Sequence, residues 1–359
     1  MGGWRRLLGP LGALFSILVF AGALHLLHRA LAGFGPGDVL ARLSAIPTWA
    51  LAASALFTLG SYLALGGFDW LALRFLDRPV GLARTLLVSF ISHAISHNMG
   101  FAALTGGGIR YRMYAASGLT LGDVAAVVMF CGVTFLLGAS ALAAGALVLE
   151  ADRLEPVLGL PADLSRAVGL AVVAALIGWL WWGRIKRPLR VWRWSLVAPR
   201  PATTLAQIAV AAADLALAAA ALHVLLPPEA NISYPAFIGL YVVANLSGVA
   251  AHVPGGLGVF ETVIVLLLPE AAPDAVLGAL LVFRMIYHLA PLAIGAVMLA
   301  VNEGLGRWPT IALRELTPAA GAVMAFAAGG LLLLDAALGG NEPLVAAPLA
   351  EAAHHGSAL

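Results

Sequence analysis

The sequence has little charge and almost no cysteine. Only 11% of its 359 residues are charged, against roughly 25% in an ordinary soluble domain, so most of this chain has no water-facing surface to offer. The one cysteine, Cys131, lies in an apolar run. It excludes an intramolecular disulfide and a cysteine metal cluster, and it reads as a small buried side chain. No phosphate loop, nucleophile elbow or Cys-x-x-Cys motif occurs. His93 and His97 in "HAISH" stand one helical turn apart but lack the glutamate of a zincin motif, so they are expected to pack or hydrogen-bond, and no metal or cofactor is predicted. The alternation of a membrane barrel strand is missing too.

What is present is apolar: 62% of the residues are hydrophobic. Runs of about 20 apolar residues, each long enough to cross a hydrocarbon core of roughly 30 Å, recur along the chain. Segments 10–28, 47–73, 85–105, 121–149, 164–182, 203–226, 234–268, 275–301 and 316–338 are predicted to lie in the membrane. In lipid a helix satisfies its own backbone hydrogen bonds, so an all-α polytopic bundle is the expected fold class. The first run, after Trp4, Arg5 and Arg6, has no small-residue cleavage site behind it and reads as a membrane helix, not a signal peptide.

Two segments differ from the rest. Segment 85–105 carries Ser89, Ser92, His93, Ser96, His97 and Asn98 and runs into Gly106, Gly107 and Gly108; segment 234–268 is interrupted by His252, Pro254, Gly255, Gly256 and Gly258. Basic residues set topology, because cytoplasmic loops retain Lys and Arg. Stretch 183–200 holds Arg184, Lys186, Arg187, Arg190, Arg193 and Arg200 without an acid and is expected to be cytoplasmic, its arginines sharing one helical face amid tryptophans. The acidic loop 150–163 then falls outside, and Arg110 and Arg112 inside. Arg5, Arg6, Arg74, Arg78 and Arg84 belong inside as well, which makes 85–105 a re-entrant element from the cytoplasmic side. Keeping Arg307 and Arg314 inside makes 234–268 a second one, of opposite orientation. Two broken elements in inverted orientation are the arrangement by which many transporters place a binding site near the midplane.

Ionisable groups inside membrane segments are costly and mark candidate sites. Asp69, Asp214, Glu261, Arg284, His93, His97, His252 and His288 are of this kind. Asp214 lies in the run "IAVAAADLALAAAAL", and Arg284, in "GALLVFRMIYHLAPL", is its expected countercharge; with Glu261 they are assigned to one polar site. A guanidinium grips a lipid phosphate while carboxylates attract an amine on the same head group. Glycines Gly255 and Gly256 beside His252 would let a head group approach closely. Arg110 and Arg112 in "TGGGIRYRMY" stand beside glycines whose amides are expected to form an anion nest. A purely structural ion network is the alternative for Asp214, Glu261 and Arg284, and positive-inside anchoring is the alternative for Arg110 and Arg112.

The stretches "SYLALGGFDWLALRFL", "SHNMGFAALTGGGIRYRMYAASGLT", "AHVPGGLGVFETVI" and "VFRMIYHLAPL" follow one another in this order. Over roughly residues 10–340 the chain resembles the N-terminal membrane region of the lysylphosphatidylglycerol synthase/flippase family, the multiple peptide resistance factor, and its short membrane relatives. The resemblance implies a flippase-like membrane domain over 1–315. In 316–359 it implies a further helix and the start of a region that continues in longer relatives. It also implies a multi-pass protein of the bacterial inner membrane with a cytoplasmic N-terminus, moving phosphatidylglycerol or its aminoacyl derivative, and a role in cationic antimicrobial peptide resistance. The implied partners are an anionic phospholipid and the membrane, with no direct nucleic-acid contact, and either a second copy of the chain or a separate synthase. The family's aminoacyl-tRNA-dependent synthesis belongs to a soluble domain outside this sequence. Two further readings stay open: the membrane part of a phosphatidylglycerol lysyltransferase, and a lipid-binding scaffold.

Overall fold

The computed structural model describes residues 46–304, apart from 100, 101, 186–188, 192, 193, 197, 198 and 252. Segments 10–28 and 316–338, Arg5, Arg6, Arg187, Arg193, Arg307, Arg314 and His252 therefore lie outside the described residues. The chain forms helices α1 (Thr48–Phe75), α2 (Leu82–Met99), α3 (Ala102–Ala115), α4 (Leu121–Leu149), α5 (Ala151–Leu158) and α6 (Ala162–Ile185). After a short hairpin come α7 (Pro201–His223), α8 (Tyr234–Ala250), α9 (Val259–Leu266), α10 (Pro273–Phe283) and α11 (Ala290–Gly304). Among the described residues, five helical stretches are long and apolar enough to cross a membrane: α1, α4, α6, α7 and the run Pro273–Leu299. This is a multi-pass helical membrane protein.

Small residues set the packing, as is usual where lipid removes the hydrophobic drive between helices. A methyl group at Gly138 of α4 would stand 2.3 Å from the Ala211 Cβ of α7, so these two helices touch backbone to backbone. Gly60 and Gly67 seat α1 on Leu217 and Val210 of α7, and Gly239 seats α8 on Ala146 of α4. Helix α6 lies at the edge: Leu170, Ile177 and Trp181 are all exposed on it. Beyond α6, Leu189–Val191 pairs antiparallel with Trp194–Leu196, so Arg190 sits in a strand and not on a helical face as expected.

Both unusual segments are broken and fold back. α2 and α3 form a helical hairpin whose open end is tied by Arg84 Nη2 donating to the Met113 carbonyl at 3.0 Å. This element runs over 82–115 and not 85–105, which moves Arg110 into its returning arm. The open end lies beside the start of α4, where Arg78 Nε meets Asp123 Oδ1 at 3.1 Å and Thr120 and Asp123 form a capping box. The other end of α4, about 43 Å away at 1.5 Å per residue, holds Glu150, which Arg153 bridges to Ser233 just ahead of α8. The second broken element thus begins at the end opposite to the first. It turns at Gly255, Gly256 and Gly258, all at positive φ, where only glycine is free of strain, and Gly256 rests on Gly248. The closed ends of the two elements meet where Gly255 faces the His97 carbonyl, and Asn98 Nδ2 ties the first of them to the Pro273–Leu299 run by donating to the His288 carbonyl at 3.2 Å.

Candidate functional site

Where these ends meet there is a cavity of about 470 Å³, lined by eight stretches of chain. Its polar wall contains His93, His97, Arg110, Asp214, Arg284 and His288, and its apolar wall contains Phe68, Phe135, Phe260 and Phe283. Gly132 and Val249 belong to the lining as well, and both are exposed, Val249 by 58%. The cavity therefore reaches exposed positions on α4 and α8.

The run Pro273–Leu299 crosses this region and widens into a π-helical turn at Arg284–Leu289. Such turns displace side chains from the regular helical register and are frequent at functional sites. Here the turn brings Arg284, Tyr287 and His288 to the cavity. Arg284 Nε donates to Glu261 Oε1 at 2.6 Å, and Nη1 donates to the Gly255 carbonyl. Glu261 in turn caps α9, accepting from the Gly258 amide at 2.8 Å.

Asp214 does not pair with Arg284 as the sequence suggested. Ser61 of α1 donates to it at 2.5 Å, and Ser61 Oγ lies 2.8 Å from the Tyr287 hydroxyl. No cation pairs with Asp214 among the described residues. The two groups share the cavity but not a bond, because Glu261, fixed by its cap, already holds the guanidinium.

Arg110 is also placed differently. It was expected at a cytoplasmic flank beside an anion nest, but it is 4% exposed. Gly106, Gly107 and Gly108 are helical, so their amides serve the helix and no nest forms. Gly106 lies flat against Ser96, 3.2 Å from a methyl built upon it, so its role is to let the arms of the hairpin close. Arg110 Nε and Nη2 donate to the two oxygens of Asp69 at 2.8 and 2.9 Å, and the Tyr114 hydroxyl donates to Oδ1 at 3.3 Å. His93 completes the group. Its Nδ1 donates to the Ser89 carbonyl at 2.9 Å and its Nε2 accepts from Arg110 at 3.1 Å, which fixes the tautomer. Arg112, two positions on, points to another side of α3; it is half-buried and does not line the cavity.

Asp214, Arg284, Arg110, Gly255 and Gly256 line the cavity, and Glu261 stands directly behind Arg284. Ser61, Tyr241 and Tyr287 were not foreseen; a hydroxyl in an apolar helix is too common to single out. The Asp69 partner is not legible in the sequence, because the basic-residue pattern places Arg110 at the cytoplasmic side and not inside the bundle.

No protein-family model matches the chain. The uncharacterised protein slr0712 of Synechocystis is 33% identical over 305 residues, covering 84% of this chain and 95% of the relative. The inner membrane protein YbhN of Escherichia coli is 26% identical over 68% of this chain and 77% of its own length. The phosphatidylglycerol lysyltransferase of Staphylococcus haemolyticus is 24% identical over 84% of this chain. The chain matches 35% of that enzyme's length. On its similarity to slr0712, the chain belongs to the family of multi-pass membrane proteins that contains slr0712, with YbhN and the phosphatidylglycerol lysyltransferases as related proteins.

Proposed function

We propose that this protein is a lipid transporter of the bacterial inner membrane, passing phosphatidylglycerol or an aminoacylated form of it between leaflets. The observation that carries this reading is the cavity itself, which joins buried charges of both signs to aromatic side chains and reaches exposed positions on α4 and α8. A head group enters between α4 and α8 while its acyl chains stay in the bilayer. A guanidinium grips the phosphate, and carboxylates accept an amine. The two broken elements are re-entrant, dipping from opposite faces, and their meeting ends form the gate on either side. The basic stretch 183–200 supports a cytoplasmic location for the end of the bundle that carries it, and Arg5 and Arg6 support the same side for the N-terminus. Transport of this kind would alter surface charge and resistance to cationic peptides. The names of the lysyltransferase relatives support phosphatidylglycerol as the lipid. They also support the second reading, a membrane part that serves a lysyltransferase.

The test is a plug in the opening. A methyl at Gly132 meets nothing within 4 Å, so Gly132→Phe fills the mouth without disturbing the bundle. Gly145→Phe, on the same helix with the same free space but away from the cavity, is the control. In liposomes with fluorescent phosphatidylglycerol or lysyl-phosphatidylglycerol, the first variant should stop translocation, read by dithionite quenching, and the second should not. Equal translocation by both variants would contradict the proposal.

A further inference from the structure

The two buried arginines of the cavity are not equivalent. Arg110 turns its fork, Nε and Nη2, to both oxygens of Asp69. Arg284 is held through Nε and Nη1 only, and its Nη2 is buried without a hydrogen-bond partner among the described residues. Arg284 as a whole is 9% exposed. His288, one turn further along the π segment, has a buried Nδ1 in the same state, and both side chains line the cavity. Buried donors left unpaired are costly, and most in native proteins meet a partner.

We infer that Arg284 Nη2 and His288 Nδ1 form the phosphate subsite of the cavity, whereas the Asp69–Arg110 pair holds the hairpin and contacts no phosphate. Glu261 and Gly255 fix the guanidinium through its other two nitrogens, so the orientation of Nη2 is already set; Nη2 is covered in this state, and a phosphate oxygen completes its partners once the side chains over it part, without displacing the carboxylate. The His288 ring, in edge-to-face contact with Phe283 at 5.8 Å between centroids, is oriented in the same way. Arg284 and Glu261 are neutral as a unit. The phosphate is therefore held here by directed hydrogen bonds and not by a net charge. The inference deepens the transport reading and rests on it for lipid as the source of the phosphate.

The experiment is calorimetric titration of the full-length protein in detergent with dihexanoyl phosphatidylglycerol, glycerophosphoglycerol and inorganic phosphate. His288→Ala leaves the ion pair intact and is expected to weaken phosphate-bearing ligands about tenfold, the effect of one lost hydrogen bond to a charged group. Glu261→Gln/Arg284→Gln removes both charges together, so that no carboxylate is left buried alone, and should abolish binding. Asp69→Asn/Arg110→Gln should lower the melting temperature, and Arg78→Gln, half-exposed and outside the cavity, should leave affinity within about twofold. Binding of the lipid but not of inorganic phosphate identifies a head-group site, and equal binding of all three identifies a general phosphate site; either result supports the subsite. Unchanged affinity in His288→Ala and in Glu261→Gln/Arg284→Gln overturns it, as does loss of affinity confined to the Asp69/Arg110 variant. Because binding is read without transport, loss of the subsite and failure of translocation are separate results.

Discussion

Arg110 and Asp69, 41 residues apart, form a two-pronged ion pair with 2.8 and 2.9 Å bonds, both side chains inside the protein. The pair ties the returning arm of the first hairpin to α1, and through Arg110 Nη2 it also orients His93, a residue of the cavity wall.

A buried pair of this kind is far more sensitive to loss of one partner than to loss of both. Asp69→Asn leaves a guanidinium without a countercharge and should cost about 3–5 kcal/mol. Asp69→Leu/Arg110→Met should cost less than the single change. Unfolding of the purified protein in detergent measures both, and a double variant less stable than Asp69→Asn would show that the hairpin needs the ions themselves.

The backbone contact of α4 and α7 leads to a second expectation. Gly138→Leu would drive a side chain into the Ala211 backbone, whose carbonyl carbon lies 2.7 Å from the position of a methyl. The helices must then separate, at about 1–3 kcal/mol or more. Gly132→Leu on the same helix meets open space and should leave the melting temperature unchanged.

Much of the helical framework was legible, because a membrane helix is written in run length. The predicted 121–149 coincides with α4, and 203–226 differs from α7 by a few residues at each end. The broken elements were flagged by residues that fit a plain membrane helix poorly, Ser, His and Asn in one and Gly and Pro in the other. Ionic partners were not legible in the same way. Glu261 and Arg284 are 23 residues apart, and nothing local says that Arg284 faces Glu261 and not Asp214. Glycine is a poor helix former in isolation, so the run 106–108 reads as a break, but Gly106 packs closely against Ser96 of the facing helix, and packing overrides propensity.

Cys131 lines the cavity and is the sole cysteine of the chain. A methanethiosulfonate reagent small enough to enter should label it, and the mixed disulfide, filling part of a 470 Å³ space, should slow translocation. Reducing agent should restore the rate, and Cys131→Ala should be insensitive. Slowing that persists in Cys131→Ala would place the effect elsewhere.

The account turns on whether a phospholipid head group occupies the space between the two broken elements. The most direct measurement is photo-cross-linking of the reconstituted protein with phosphatidylglycerol carrying a diazirine on its head group, followed by peptide mapping. Labelling concentrated in residues 245–260 and 284–288 is the predicted result. Labelling confined to outward-facing residues such as Ile177 and Trp181 of α6, exposed by 60% and 66%, would mean that lipid only surrounds the bundle and would contradict the account.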